Sequence, residues 1–451
     1  MPVSFPDPFL WGAATSAYQI EGSPLADGAG PSIWHRFSHT PGRILDGSTG
    51  DRACGHYRRW GQDIALMRSL GLRAYRFSVA WARVLPAGVG RVNPKGLGFY
   101  ERLVDGLLDH GIEPLLTLYH WDLPAALQDR GGWVNRDSAR WFGDYAELMY
   151  RALGDRVGRW ITINEPWVVV DAGHVHGVHA PGHRDAGEAA AVAHHLLLAH
   201  GEAVSRFRAC RDGQIGIAVN IEPKHPASPS PADRAAARRS DLYMNRQFIE
   251  PVMRGRYPQG LDSVYDTAWT DPRVEDMALI GAPVDFLGIN YYTSAKVRAD
   301  LAAPLPGASP VADPQARHTD MGWAVDPEGL YATLCRVERE YGPVPILITE
   351  NGAAFADLPA PDGSVADPER VNYLRTHLLA AHRAIRDGVD LRGYFVWSLL
   401  DNFEWSYGYT KRFGIVRIDW HTQARHPKLS ARYYAQLIRS GGASLSAPEG
   451  P

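Results

Sequence analysis

Cysteine is scarce in this chain of 451 residues, which contains only Cys54, Cys210 and Cys335. The number is odd, the spacings are wide and no CxxC pair occurs, which argues against a disulfide framework and a cysteine-based metal site. An excess of one charge is also lacking, since the formal net charge is -3 and neither sign forms a block. We therefore expect neither nucleic acid nor an anionic membrane as a partner.

Long apolar runs are absent as well. No apolar stretch reaches the roughly 18 residues that a membrane-spanning helix needs. The N-terminus has no basic segment followed by an apolar one, as a secretory leader would have. The expected location is therefore the cytoplasm, and no cofactor or catalytic metal is expected.

Aromatic residues are plentiful, with 14 Trp, 20 Tyr and 13 Phe. Many tryptophans stand beside polar residues, as in "YHWDLP", "NEPWVV" and "VWSLLDNFEWSYG". Any single one is more simply explained as a large core residue. As a set, tryptophans interleaved with Asn, Asp, Glu and His indicate a cleft that stacks on flat faces and hydrogen-bonds their edges. Sugars present such faces and edges.

Eight apolar runs recur along the chain, and most end in polar or aromatic residues. They cover residues 9–22, 72–81, 112–121, 159–166, 214–220, 284–292, 344–352 and 391–405. Segments with helical periodicity, such as "DIALMRSLGL", lie between them. Eight buried strands that alternate with helices predict an α/β fold: a single (β/α)8 TIM barrel over residues 1–451, with long loops over its C-terminal face.

Other organisations fit parts of this pattern. The length would also accommodate two or three average domains. A doubly wound open sheet would usually need a glycine-rich phosphate loop, and no GxGxxG follows the first run. Residues 222–240 and 299–320 contain many prolines and are expected to be long surface loops, and residues 441–451 are expected to be a flexible tail.

Two of the runs stop on a glutamate, Glu165 in "ITINEPW" and Glu350 in "ILITENG". The strand ends of a barrel meet at one mouth, so the two carboxyl groups are expected to face each other. Paired carboxyl groups across a cleft are the usual apparatus of glycoside hydrolysis, in which one is protonated and the other ionised. Arg76, expected at the end of the second strand, could hold Glu350 ionised. The spacing alone equally allows two carboxylates in unrelated ion pairs.

The motifs around these residues resemble those of glycoside hydrolase family 1. "TINEP" and "ITENG" are similar to the acid/base and nucleophile motifs of that family, and "FLWGAATSAYQIEG" is similar to its N-terminal motif. Further similar motifs follow in the family's order: "YRFSVAWARVLP", "LYHWDLP", "HAPG", "NYYTS", "DMGW", "WSLLDNFEW" and "KRFG". Because so many motifs occur in order along nearly the whole chain, coincidence is an implausible explanation.

The resemblance implies a retaining β-glucosidase that acts on cellobiose, short cello-oligosaccharides and aryl β-glucosides. It implies that Glu165 is the general acid/base and Glu350 the nucleophile, with carboxyl groups roughly 5–5.5 Å apart. The substrate-binding residues that it implies are Gln19, His120, Asn164, Trp397, Glu404, Trp405 and, on the leaving-group side, Trp323. The residues that it places around the nucleophile are Arg76, Asn290 and Tyr292. Activity on β-galactosides or β-fucosides and transglycosylation are also expected.

Three alternative functions also fit parts of the sequence. Family members that hydrolyse 6-phospho-β-glycosides carry Ser where Glu404 stands, although they share the lysine at Lys411. The histidines of "DAGHVHGVHAPGHRD" could bind zinc, but no HExxH occurs. A sugar-binding protein with a decayed site would be expected to lack one carboxylate, and here both are present. The aglycone, the preferred sugar and the oligomeric state are left open.

Overall fold

The computed structural model describes residues 3–446, and its centre is a closed barrel of eight parallel strands. The strands are β1 (Leu10–Ala14), β2 (Ala74–Ser78), β3 (Glu113–Tyr119), β4 (Arg159–Asn164), β5 (Gln214–Asn220), β6 (Phe286–Asn290), β7 (Ile346–Asn351) and β8 (Leu391–Trp397). Each strand pairs with the next, and β8 closes the barrel against β1. Every strand lies inside one of the eight apolar runs, so the predicted (β/α)8 barrel is confirmed.

Helices alternate with these strands, as the periodic segments predict. The alternating helices are α1 (His56–Leu70), α2 (Pro94–Asp109), α3 (Asp137–Leu153), α4 (Ala189–Cys210), α5 (Val274–Ile280), α6 (Pro327–Tyr341), α7 (Pro368–Arg386) and α8 (Leu429–Arg439). Further α-helices in the loops cover Ala17–Ile20, Ile33–Ser38, Trp81–Val84, Ala125–Gln128, Pro166–Val168, Pro231–Asp241, Gln247–Arg254 and Asp262–Tyr265. Single turns of 3-10 helix and two π-helical segments, Val169–Val175 and Leu242–Arg246, complete the loops.

Burial on both faces explains why the strands read as continuous apolar runs. Every strand contributes to a separate apolar cluster that fills the barrel interior: Ala14, Ala74, Leu115, Ile161, Ala218, Phe286, Leu347, and both Phe395 and Trp397 of β8. The opposite face of each strand packs against the helices in a second, larger core. A Cβ at Gly12 would overlap the ring of Phe395, so the glycine makes room for that ring.

The register brings candidate residues from distant strands to one level. Ala14, the last residue of β1, pairs with Arg76 on one side and with Trp397 on the other. The prediction that Arg76 ends its strand was wrong, because it is the third residue of β2, but the stagger of the barrel still places it level with two strand ends. Gln19 does not end a strand either, since it lies in the short helix Ala17–Ile20.

The two segments predicted as long loops contain regular structure. Residues 222–240 include a strand, Lys224–Pro226, and most of the helix Pro231–Asp241, while residues 299–320 include the strand Ala308–Val311. These strands form a small sheet with Ala295–Ala299, beside the barrel mouth. The loop prediction was wrong because the strands are three to five residues long and the alanine-rich helix shows little apolar periodicity.

The described chain ends in a short 3-10 helix, Ala443–Ser446, in which Leu445 is buried. Of the segment predicted as a flexible tail, residues 447–451 lie outside the described residues. No helix within residues 3–446 combines the length and the apolar character needed to cross a bilayer.

Candidate active site

Glu350 lies in β7, and both of its carboxyl oxygens accept hydrogen bonds. Arg76 Nη1 donates to Oε1 over 2.5 Å, and the hydroxyl of Tyr292 donates to Oε2 over 2.5 Å. Arg76 is 1% exposed and also donates to Thr349 O and Asn164 Oδ1, so its guanidinium is held in one orientation. A buried guanidinium and a hydroxyl that donate to the same carboxylate stabilise its ionised form.

Glu165 directly follows β4 and turns away from the strand direction. Its φ and ψ of 44° and 67° lie in the left-handed region, and its backbone N–H donates to Ala218 O over 2.8 Å. This conformation costs roughly 1–2 kcal/mol for a residue with a side chain. Its carboxyl Oε1 accepts a hydrogen bond from the side-chain amide of Asn290 over 2.7 Å. Glu165 therefore has a neutral donor where Glu350 has a cation.

These surroundings give the two glutamates different proton affinities. Burial raises the pKa of Glu165 to about 8, and the negative charge of Glu350 adds to this effect. Burial also raises the pKa of Glu350, but Arg76 and Tyr292 counteract it by favouring the anion. Burial and the charge of Glu350 raise the pKa of Tyr292 well above its usual value, so its hydroxyl stays protonated and donates. Near neutral pH we therefore assign the proton to Glu165 and the negative charge to Glu350.

Glu404 lies after β8 and lines the same cavity as both glutamates. Gln19 Nε2 donates to Glu404 Oε2 over 3.3 Å, to Asn402 Oδ1 over 3.0 Å and to Phe403 O over 3.1 Å. These contacts tie the helix after β1 to the segment that carries Glu404. Burial raises the pKa of Glu404 to about 8. A buried carboxyl group with two oxygens can bind two neighbouring sugar hydroxyls.

A network of buried ion pairs holds the segment that carries Glu404 on the side away from the cavity. Lys428 Nζ donates to Asp401 Oδ1 over 2.9 Å and to Asp357 Oδ2 over 2.6 Å. Arg370 bridges Asp357 and Asp367, and all five side chains are almost fully buried. Because removing one member would leave an unpaired buried charge, the network fixes residue 401 and the neighbouring site residues in place.

Flat aromatic rings form the walls of the cavity. Trp397 and Trp405 are each 3% exposed, and the His120 ring stacks against them at centroid distances of 5.7 and 5.9 Å. Burial lowers the pKa of His120 well below its usual value, so the ring is neutral. Its Nε2 lies 3.1 Å from the amide nitrogen of Asn164. Because that amide donates to Nε2, the other ring nitrogen carries the hydrogen and can donate to a sugar hydroxyl.

The cavity with both glutamates has a volume of about 310 Å³ and adjoins a second cavity of about 680 Å³. The two share Trp167, Asp171 and Trp323 among their lining residues. The Trp323 ring lies 5.4 Å from the ring of Tyr292, which contacts the nucleophile candidate. Trp323 thus stands at the junction, where a group leaving the smaller cavity would pass into the larger one.

The structure brings the predicted site residues together at one mouth. Those that line the smaller cavity are His120, Glu165, Asn290, Tyr292, Trp323, Glu350, Trp397, Glu404 and Trp405. Gln19, Asn164 and Arg76 lie directly behind this lining and are almost fully buried.

Sequence reasoning missed several residues that line the smaller cavity, among them Trp121, His179, Tyr407 and Phe413. Trp121 has a φ of 75° and donates from Nε1 to Asn164 O over 3.0 Å. Its place directly after His120 in "YHWDLP" was a usable signal. Phe413 belongs to the quoted motif "KRFG", which was a similar signal, and it reaches the cavity from the loop that follows β8.

The clustered histidines do not converge on the two glutamates. Of the histidines between residues 174 and 183 of the described chain, only His179 lines the smaller cavity, and burial lowers its pKa to about 4. His174 and His183 instead lie together against Glu188. The alternative of metal-dependent hydrolysis at these histidines therefore has no geometric support.

Comparison with known proteins places the chain among glycoside-cleaving enzymes. The model of the family "Glycosyl hydrolase family 1" matches residues 1–443. "Beta-glucosidase A" of Thermotoga maritima is 50% identical over 440 residues, which are 97% of this chain and 98% of that protein. "Bifunctional beta-D-glucosidase/beta-D-fucosidase" of Bifidobacterium breve is 43% identical over 97% of this chain and 99% of that protein.

A solved structure gives the same result for the fold. The β-glucosidase from Thermotoga maritima in complex with galacto-hydroximolactam superimposes with a TM-score of 0.94 at 50% identity, covering 98% of this chain and 99% of that one.

Proposed function

The chain belongs to glycosyl hydrolase family 1, and on that premise we propose that it is a retaining β-glucosidase with Glu165 as acid/base and Glu350 as nucleophile. The enzyme removes β-D-glucosyl residues from the nonreducing end of its substrates. The different surroundings of the two carboxyl groups support this assignment of roles. Glu350 accepts hydrogen bonds from Arg76 and Tyr292, whereas burial raises the pKa of Glu165 to about 8.

The reaction proceeds in two displacements. In the first, a Glu350 oxygen forms a bond to C1 of the sugar while the bond from C1 to the glycosidic oxygen breaks, and Glu165 gives its proton to that oxygen. In the second, Glu165 takes a proton from water, the water oxygen bonds to C1, and the ester to Glu350 breaks. Two inversions at C1 give net retention. A sugar hydroxyl in place of water would give transglycosylation.

The remaining site residues bind the sugar in the smaller cavity. Glu404, backed by Gln19, takes two hydroxyls, and Trp397 provides the flat stacking surface. Asn164 lies next to Glu165, accepts a hydrogen bond from Arg76 and is the residue predicted to contact the 2-hydroxyl. Trp323 faces the leaving group. Direct sugar contacts by Gln19 and Asn164 stay predictions, since both side chains lie behind the cavity lining.

Specificity for related sugars follows from the same arrangement. The bifunctional relative from Bifidobacterium breve supports activity on β-fucosides, and the galacto-configured ligand of the Thermotoga maritima structure supports activity on β-galactosides. Cellobiose and short cello-oligosaccharides are the proposed natural substrates, in cellulose degradation. The cytoplasmic location and the single-domain organisation stay predictions.

Substrate choice and product anomer together test the proposal. We expect 4-nitrophenyl β-glucoside to be hydrolysed with β-glucose as the first anomer seen by proton NMR, and its 6-phosphate to be a far poorer substrate. A C6 phosphate would meet Glu404, which carries no positive charge in either protonation state. Lys411, the lysine shared with the family members that act on 6-phosphates, does not offset this, because its amino group already donates to Asp320 O over 2.6 Å. Release of α-glucose first would overturn the retaining mechanism, and preference for the 6-phosphate would overturn the substrate assignment.

The pH dependence gives a separate prediction. Glu165 must be protonated in the first step, and burial raises its pKa to about 8. Activity should therefore be lost as the pH rises through about 8, whereas an exposed glutamate would lose its proton near pH 4.3. The measurement is kcat/KM for an aryl β-glucoside against pH, with enzyme stability checked at each value. An alkaline limb near pH 5 would contradict the assignment.

A further inference from the structure

Four histidines stand between residues 174 and 183, and the proposed mechanism uses none of their ring nitrogens. Two of them meet a carboxylate, since His174 Nδ1 lies 2.8 Å and His183 Nδ1 lies 2.7 Å from Glu188 Oε2. The three atoms lie within 4.8 Å of one another. The two rings stand nearly perpendicular, at 77°, with centroids 4.9 Å apart. Two imidazole nitrogens and a carboxylate oxygen thus converge on one small volume.

This set of donors is one that zinc and similar divalent ions prefer. Zn²⁺ binds imidazole nitrogen at about 2.0–2.1 Å and carboxylate oxygen at about 2.0–2.2 Å, so small side-chain movements bring all three atoms to an ion between them. Two neutral imidazoles and one carboxylate carry a single negative charge, which suits a dication. His174 is fully buried, while the side chains of His183 and Glu188 are 35% and 23% exposed and leave a route from solvent.

Gln128 provides a second, independent observation. Its Nε2 lies 3.4 Å from His183 Nε2, while its Oε1 is buried and has no hydrogen-bond partner among the described residues. The two ends of a glutamine amide are almost identical in shape, so the amide can be turned over in the same space. Oε1 then accepts a hydrogen bond from His183 Nε2–H, and the lone pair of Nδ1 points toward Glu188. Metal-binding histidines are commonly oriented by an acceptor on their other nitrogen.

We propose that His174, His183 and Glu188 form a structural site for one divalent ion of the zinc class, and that Gln128 orients His183 within it. On binding, the hydrogen on each Nδ1 moves to Nε2, so both rings stay neutral and both Nδ1 atoms bind the ion. The site is distinct from the glycoside-cleaving residues and takes no part in the displacement at C1.

The ion would stabilise a loop of the sugar cavity. It joins the π-helix Val169–Val175 to the short helix Ala186–Glu188. The chain between them carries His179, which lines the smaller cavity and whose ring lies 5.7 Å from that of Trp121. Bound metal therefore holds one wall of the cavity in place through its backbone.

The test uses the full chain without a histidine tag, stripped of metal by a chelator and then dialysed. We expect calorimetry to show one equivalent of bound Zn²⁺ and the melting temperature to rise by several degrees, because an ion that binds only the folded chain stabilises it. His183→Ala and Glu188→Gln should lose both effects. Gln128→Leu should bind Zn²⁺ about 10- to 100-fold more weakly.

A second cluster supplies the matched control, because His35, His39 and Asp51 also hold ligand atoms within 4.8 Å of one another. His39→Ala should keep the proposed site intact, and if the wild type binds two equivalents, His183→Ala must remove one. Zinc binding that disappears in His39→Ala but survives in His183→Ala overturns the proposal. Failure of the wild type to bind a stoichiometric amount overturns it as well. Metal-free His183→Ala should hydrolyse aryl glucosides like the metal-free wild type, and this result would show that its fold is intact.

Discussion

Replacing Glu350 with alanine is expected to lower kcat/KM for aryl β-glucosides on the order of 10⁴-fold or more. In the proposed mechanism the variant loses the atom that bonds to C1, and within residues 3–446 no other carboxylate accepts the hydrogen bonds that Arg76 and Tyr292 give to Glu350. Initial rates with 4-nitrophenyl β-glucoside measure the loss. Near-normal hydrolysis would mean that the nucleophile lies elsewhere.

Two controls distinguish the loss of a catalytic group in Glu350→Ala from the loss of the folded structure. Glu275→Ala removes an exposed glutamate from α5 and should behave like the wild type. Azide should partly restore turnover of an activated substrate by Glu350→Ala, because a small anion fits the space that the carboxylate leaves. Azide nitrogen then bonds to C1 on the face that Glu350 occupied, the bond to the leaving phenolate breaks, and α-glucosyl azide forms by a single inversion. Detection of the β anomer instead would place the nucleophile on the wrong face.

The barrel could be predicted because its strands are buried on both faces and so stand out as apolar runs. The same property hides where a strand stops. Gln19 is preceded by apolar and small residues that continue the run, yet β1 ends at Ala14 and a helix follows. The small sheet near the mouth was missed because Lys224–Pro226 pairs with Ala295–Ala299, far away in the chain. Pairing between such short strands depends on contacts that no local pattern reports.

The sequence predicted which residues meet at the barrel mouth, but the spacing alone did not distinguish the two glutamates. Glu165 follows one apolar strand and Glu350 lies near the end of another. The sequence suggested that Arg76 could keep Glu350 ionised, and the family resemblance implied the two different roles. In the structure the two carboxyl groups have different partners, since Arg76 donates to Glu350 and the amide of Asn290 donates to Glu165. The left-handed backbone at Glu165, which aims the side chain, is likewise invisible in "INEP".

Replacing Glu165 with alanine is expected to lower kcat/KM by an amount that depends on the leaving group of the substrate. The leaving group of cellobiose is glucose, which would depart as an alkoxide unless its oxygen is protonated, so loss of the general acid should lower kcat/KM for cellobiose by about 10²- to 10⁴-fold. 2,4-Dinitrophenolate leaves without a proton, so kcat/KM for the dinitrophenyl glucoside should change much less. The comparison needs steady-state kinetics of both substrates with both enzymes. Equal losses for the two substrates would show that Glu165 only binds the sugar.

Glu165→Ala should also impair the second displacement, which gives a further test of the role of Glu165. Without Glu165 no base activates water, so the glycosyl ester on Glu350 should accumulate and appear as a burst of dinitrophenolate followed by slow turnover. Azide needs no base and should raise the slow rate by attacking C1 from the face where Glu165 stood. The product should then be β-glucosyl azide, the opposite anomer to that from Glu350→Ala. Because the proposed mechanism places the two glutamates on opposite faces of the sugar, one reagent should distinguish them by stereochemistry, independently of any pKa.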